Sequence, residues 1–233
     1  MSAWTIPALL AAAVLAVVAA RHLRFSRTGV ASTEPAPRWQ PEVLRSPTAW
    51  AVTGFMGIQS LLAYSLIAWL PSIYRERGVT AERSGLLLTV LSISSILTAL
   101  TVPVVATRLR RQRLLAVAVV GLSMAGLLGV LAGGVGGAVV WAVLLGLGQG
   151  GQLSLTLTLV NLRAATAAMT TSLSTMAQSI GYLVAAVGPV ATGAIRGATG
   201  SWTPALLALL LLLLPLGICG WIGGVDVART EVV

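Results

Sequence analysis

ILTALTVPVVATRLRRQRLLAVAVVGLSMAGLLGVLA, residues 96–132, sets two apolar runs on either side of a six-residue turn that carries four arginines. Followed out to their polar limits, the runs occupy 84–107 and 114–132. Each is close to the roughly 20 apolar residues, rising ~1.5 Å apiece, that cross a hydrocarbon layer. Backbone inside lipid must satisfy its own hydrogen bonds, so two such runs around a basic turn read as a transmembrane helical hairpin.

Further apolar stretches lie at 3–20, 49–71, 137–160, 171–195 and 202–224, which makes seven expected spans. The 233 residues are 57% hydrophobic and 9% charged, against the roughly 25% charge of a soluble domain. That composition excludes a soluble globule and a disordered tail. Cys219 stands alone, so no internal disulfide or cysteine metal site is available, and His22 in a basic run has no catalytic partner. The expectation is an all-α polytopic membrane protein with seven transmembrane helices. A leading helix lies in 1–20, a Pro/Ser-rich cytoplasmic linker in 21–48, a six-helix bundle in 49–225 and a cytoplasmic tail in 226–233.

The net charge of +9 comes from 15 arginines, no lysine and 6 acidic residues. These charges sit in short connectors, a pattern that marks topology rather than nucleic-acid binding. On alternate connectors, one side collects 11 arginines and the other 4. The positive-inside rule then places the N-terminus outside and the C-terminus in the cytoplasm of a multi-pass cell-membrane protein.

No Asp, Glu, Lys, Arg or His falls near the middle of a span, which weakens any reading as a self-sufficient pump. It also leaves no nucleophile–base pair, metal constellation or cofactor motif, so no enzyme is expected. The mid-span polar groups are Gln59 and Tyr64, Gln149 and Gln152, and Gln178 and Tyr182. Spacings of three and four put each of the last two pairs on one helix face. Such groups either join helices or hydrogen-bond a small solute. Hydroxyls at 89–101 and 154–175 either line a wet path or bond the preceding helical turn. Gly146, Gly148, Gly150 and Gly151, like the Gly121–Ala125–Gly129 stripe, suit close helix packing. Arg108, Arg110, Arg111, Arg113 and Arg163 read as topology anchors or as elements of a cytoplasmic gate.

Three stretches carry a resemblance: FMGIQSLLAYSLIAWLPSIYRERG (55–78), GLGQGGQLSLTLTLVNLRAAT (146–166) and MAQSIGYLVAAVGPVATGAIRGATGSWTPALLAL (176–209). Together they resemble the cyanate-permease-like (CynX/NimT-type) branch of the major facilitator superfamily. The resemblance implies helix six plus the C-terminal six-helix bundle of a twelve-helix transporter, working by alternating access on a small organic solute. It places Gln59, Tyr64, Gln149, Gln152, Gln178 and Tyr182 along the substrate path. The RLRRQR turn falls where the superfamily has a basic loop between helices eight and nine, without the acidic residue and GRR pattern of the fuller motif. The implied partners are the lipid bilayer, the solute, and a missing N-terminal half or partner chain. The competing expectation is a structural or interaction protein, a half-transporter subunit pairing with itself or another chain.

Overall fold

The computed structural model describes residues 39–109 and 111–225. Among them lie six helices long and apolar enough to cross a membrane. They are α1 (Pro47–Glu76), α2 (Ala81–Arg108), α3 (Gln112–Ala132), α4 (Ala138–Arg163), α5 (Ala167–Thr199) and α6 (Trp202–Gly223). The seven-span reading is thereby corrected to an all-α polytopic fold with six long apolar helices. The stretch expected to form a leading span, 3–20, lies outside the described residues. It was the weakest of the seven on length, being Ala-rich and short of the roughly 20 residues a crossing takes. The expected tail, 226–233, also lies outside them, as does most of the expected linker. The end of that linker forms a 3-10 turn, Pro41–Arg45, with Val43 only 1% exposed and Gln40 N donating to Ser172 Oγ at 2.9 Å.

Helix starts follow local chemistry rather than hydropathy. Ser46, Thr80, Thr166 and Ser201 each accept a backbone N–H of the first turn, as N-caps do, opening α1, α2, α5 and α6. Gly200, at φ +69°, ends α5 in the left-handed conformation that glycine adopts without a Cβ penalty. Because capping residues precede the apolar windows, α1, α2 and α5 begin two to four residues before the expected spans.

The packing is set by small residues. Gly57 lies against Gly181 and Val184, Gly188 against Leu61 and Ser65, and Gly193 against Trp69, so α1 and α5 run parallel in register. Gly146 meets Leu91 and Ser94, Gly150 meets Ser95, and Ser154 reaches Thr98, which lays α4 parallel to α2. On its other side α4 runs antiparallel to α3, with Gly148 against Ser123 and Gly151 against Val119. Helices α1 and α4 bury 61% of their span windows, whereas α2 buries 17% and α5 22%, so the first two form the interior and the last two the rim. Gly121 meets nothing within 4 Å and Gly129 underlies the Trp141 ring of α4, so of the stripe they suggested it is Gly129 that serves the α3–α4 seam, as the seat of one tryptophan. Pro189 sits inside α5, where the Gly188 and Pro189 carbonyls accept from Thr192 Oγ1 (2.7 Å) and Trp69 Nε1 (2.8 Å).

At the end of the bundle where α1 finishes, Glu76 Oε2 accepts from Arg196 Nη2 (2.9 Å) and Trp202 Nε1 (2.8 Å), tying α1 to α5 and α6. The carboxylate is exposed, and exposed pairs are weak and salt-screened. Glu76→Gln is expected to lower the thermal midpoint slightly at low ionic strength and not at high. Unfolding curves of the purified chain at two salt concentrations measure this.

Candidate functional site

The N-terminal half of α5 presents two polar rows at four-residue spacing, Thr170–Ser174–Gln178 and Thr171–Thr175–Ser179. They line an open groove of about 420 Å³. Tyr182 continues the first row one turn further and is 44% exposed. Gln178 Nε2 donates to Ser174 Oγ at 2.6 Å, while Thr170 and Thr171 donate back to the Thr166 and Ala167 carbonyls. These bonds occupy the Thr170 and Thr171 hydroxyl hydrogens and one of the two Gln178 amide hydrogens, so the second Gln178 hydrogen and the Ser174 hydroxyl hydrogen are left to donate. The groove offers hydroxyls and one amide but no formal charge. Tyr64, on α1, is 45% exposed. From the α1–α5 register it stands level with Gly188, roughly 9 Å along the helix axis from the level of Tyr182.

The other glutamines lie inside. Gln59 is buried on α1, donating to Ser60 Oγ (2.7 Å) and Met56 Sδ (3.6 Å). On α4, Gln152 Nε2 crosses to α3, donating to Ser123 Oγ (2.9 Å) and the Val119 carbonyl (3.2 Å). Gln149, one turn earlier, is also buried. Both side chains border a small internal cavity between α1, α3, α4 and α6. The structure thus divides the six candidates: Gln178, Tyr182 and Tyr64 reach accessible surface, and Gln59, Gln149 and Gln152 face the interior. On α2, the hydroxyls of Thr89, Ser92, Ser95, Thr98 and Thr101 bond carbonyls of their own preceding turn.

The arginine-rich end holds a second constellation. Arg163, at the end of α4, donates through Nε to the Gly223 carbonyl (2.9 Å) and through Nη2 to Gln112 Oε1 (3.0 Å). Gln112 in turn donates Nε2 to the Ala106 and Leu109 carbonyls at the end of α2 (3.2 and 2.8 Å). One cation therefore serves the carbonyl ends of α6 and, through an amide, of α2, where helix dipoles favour positive charge. Arg113 stacks over the Trp221 ring at 4.8 Å, and its N–H donates to Gly224 O at 3.1 Å. Arg108 and Arg111 are exposed. Arg110 lies outside the described residues. Gln112 is the residue that sequence reasoning passed over. Its signal was an uncharged amide at a helix start inside an otherwise basic run.

A six-helix apolar bundle with an uncharged polar groove and basic connectors defines a polytopic membrane protein. The family model for the Major Facilitator Superfamily matches residues 2–189, most of the chain, and the chain belongs to that superfamily. The superfamily consists of carrier proteins, not enzymes. The chain is 40% identical over 182 residues to the "uncharacterized transporter YycB" of Bacillus subtilis (strain 168), covering 78% of this chain and 45% of that protein. It is 38% identical over 184 residues to the 2-nitroimidazole transporter of Escherichia coli (strain K12), covering 79% and 47%. It is 31% identical over 199 residues to the cyanate transport protein CynX of the same organism, covering 85% and 50%. The chain spans about half the length of these curated relatives.

Proposed function

We propose that this chain supplies one half of a secondary transporter that moves a small organic solute across the membrane by alternating access. The observation that carries the reading is the uncharged groove on α5, where an amide joins the hydroxyls, whereas the rim hydroxyls of α2 bond carbonyls of their own preceding turn. Binding there is by hydrogen bonds, with Gln178 as the principal amide and Tyr182 and Tyr64 as phenolic donors. Gln59, Gln149 and Gln152 act from behind, holding the helices that present those groups. A cyanate or nitroimidazole-like solute suits such a lining, since both are compact and rich in acceptors, and two of the relatives bear those names. Any charge on the solute is balanced by groups outside the groove. The scantly buried rims of α2 and α5 meet lipid and a second half, in the same polypeptide or another chain. The arginine-rich end faces the cytoplasm, with the N-terminus outside, and the exposed Arg108 and Arg111 meet helix ends or lipid head groups there.

The test is a chimera in which the chain follows the N-terminal half of the 2-nitroimidazole transporter, assayed for 2-nitroimidazole flux in cells. Flux is expected from the chimera and not from the chain alone. Gln178→Leu, which deletes a hydrogen bond worth ~1.4 kcal/mol, is expected to cut it about tenfold. Saturable flux by the isolated chain, or full flux in the Gln178→Leu chimera, would overturn the reading.

A further inference from the structure

We infer that the cavity between α1, α3, α4 and α6 is a binding site for one buried water that joins Gln149 to Gln152. The cavity lies about halfway along α3 and α6, walled by Leu62, Leu66, Leu127, Leu145 and Leu213 except where Ser123, Gln149 and Gln152 enter it. Two of those polar groups carry an atom without a hydrogen-bond partner among the described residues: Gln149 Nε2, a donor, and Gln152 Oε1, an acceptor. Gln152 is fully buried and Gln149 is 6% exposed, so bulk solvent does not reach them. An unmade hydrogen bond on a buried amide is destabilising, and here the two residues that carry one line the same cavity.

Size and chemistry then select the occupant. The cavity has a volume of about 10 Å³. One water occupies roughly 10–15 Å³ on that measure, so no organic solute fits. Apolar cavities stay dry, whereas polar ones holding two to four hydrogen-bonding groups retain water. A water can accept from Gln149 Nε2 and donate to Gln152 Oε1, satisfying both, with Ser123 Oγ as a third neighbour. Neither amide can do this alone, because Gln152 Nε2 is already committed to Val119 and Ser123. Water thus completes the contact by which α4 holds α3, independently of what the chain transports.

Two measurements test it on the purified chain in bilayers. In water-edited solid-state NMR with 15N-glutamine, the side-chain amides of Gln149 and Gln152 are expected to receive magnetisation from water early. Gln59, equally buried but bonded to Met56 and Ser60, serves as the slow control. Transfer to Gln149 and Gln152 as slow as to Gln59 would overturn the inference. Gln149→Met, close in shape but without an amide, supplies a difference in sign. With the water present, the variant loses a bond and its midpoint falls by about 2–4 °C. With a dry cavity, it removes an unsatisfied donor and the midpoint rises. A rise therefore also overturns the inference, and should the variant fail to fold, the NMR comparison on the parent chain decides.

Discussion

Gly150→Leu is expected to prevent recovery of the folded chain, and Gly150→Ala to destabilise it by about 1–3 kcal/mol, the usual cost of overpacking. A Cβ at Gly150 overlaps the Ser95 carbonyl oxygen, and one at Gly146 overlaps that of Leu91. Both obstacles are backbone, so no rotamer change relieves them. In lipid, helices gain nothing from hiding apolar surface, so their association rests on close backbone approach and interhelical hydrogen bonds. Losing the approach at Gly150 also separates Ser154 Oγ from Thr98 O, 3.5 Å apart one turn on. Gly121→Ala is the control. Its Cβ meets nothing within 4 Å, and alanine favours a helix over glycine by ~1 kcal/mol, so that variant is expected to be neutral or slightly stabilised. Monodisperse yield in detergent and thermal midpoint measure all three. Equal midpoints for Gly150→Ala and Gly121→Ala would remove the tight α2–α4 seam from the account.

That contrast shows where the sequence was legible and where it was not. Hydropathy located every one of the six described helices, because a bilayer-crossing helix must be apolar along its whole length. The same criterion added a seventh at 3–20, an Ala-rich stretch short of a full crossing that lies outside the described residues. Glycine spacing did not reveal which glycines matter. Gly121, Gly146 and Gly150 look alike in sequence, and only the third dimension separates one facing open space from two pressed on a neighbouring backbone. Helix starts were readable in principle, since SPT at 46–48 and the threonines at 80 and 166 are capping signals that hydropathy windows overlook.

The candidate site was legible by residue type and not by direction. Each glutamine and tyrosine stood out because amides and phenols are scarce in apolar spans. A helix about seven to nine turns long nevertheless presents such groups all around, and the hydrophobic stripe that orients a soluble helix is weak where both lipid and core are apolar. Hence nothing in the sequence distinguished Gln178, in a groove, from Gln152, bonded across to α3. The hydroxyls around Gln178 were noted but not recognised as two rows, although the four-residue spacing of Thr170, Ser174 and Gln178 was present.

Arg163→Met is expected to cost about 2–4 kcal/mol, the range for losing charge-assisted hydrogen bonds whose partners stay partly buried. Methionine keeps much of the aliphatic stem, so the loss reports the guanidinium rather than packing. With it go the bonds to Gly223 O and Gln112 Oε1, and the ends of α4, α6 and α3 lose their common anchor. Arg163→Lys is expected to recover only part, because an ammonium lacks the planar fork that reaches two acceptors on different helices. Arg111→Met, at an exposed position, should stay within ~0.5 kcal/mol of the parent. Gln112→Leu combined with Arg163→Met should cost less than the sum, since the two share one bond. Hydrogen exchange supplies the local readout. The Arg113 amide, bonded to Gly224 O at 3.1 Å, should lose protection in Arg163→Met before amides in mid-helix do. A fixed clasp predicts this loss of order at one end of the bundle. A gate that opens and closes would instead show the Arg113 amide already unprotected in the parent chain, with little further change on mutation.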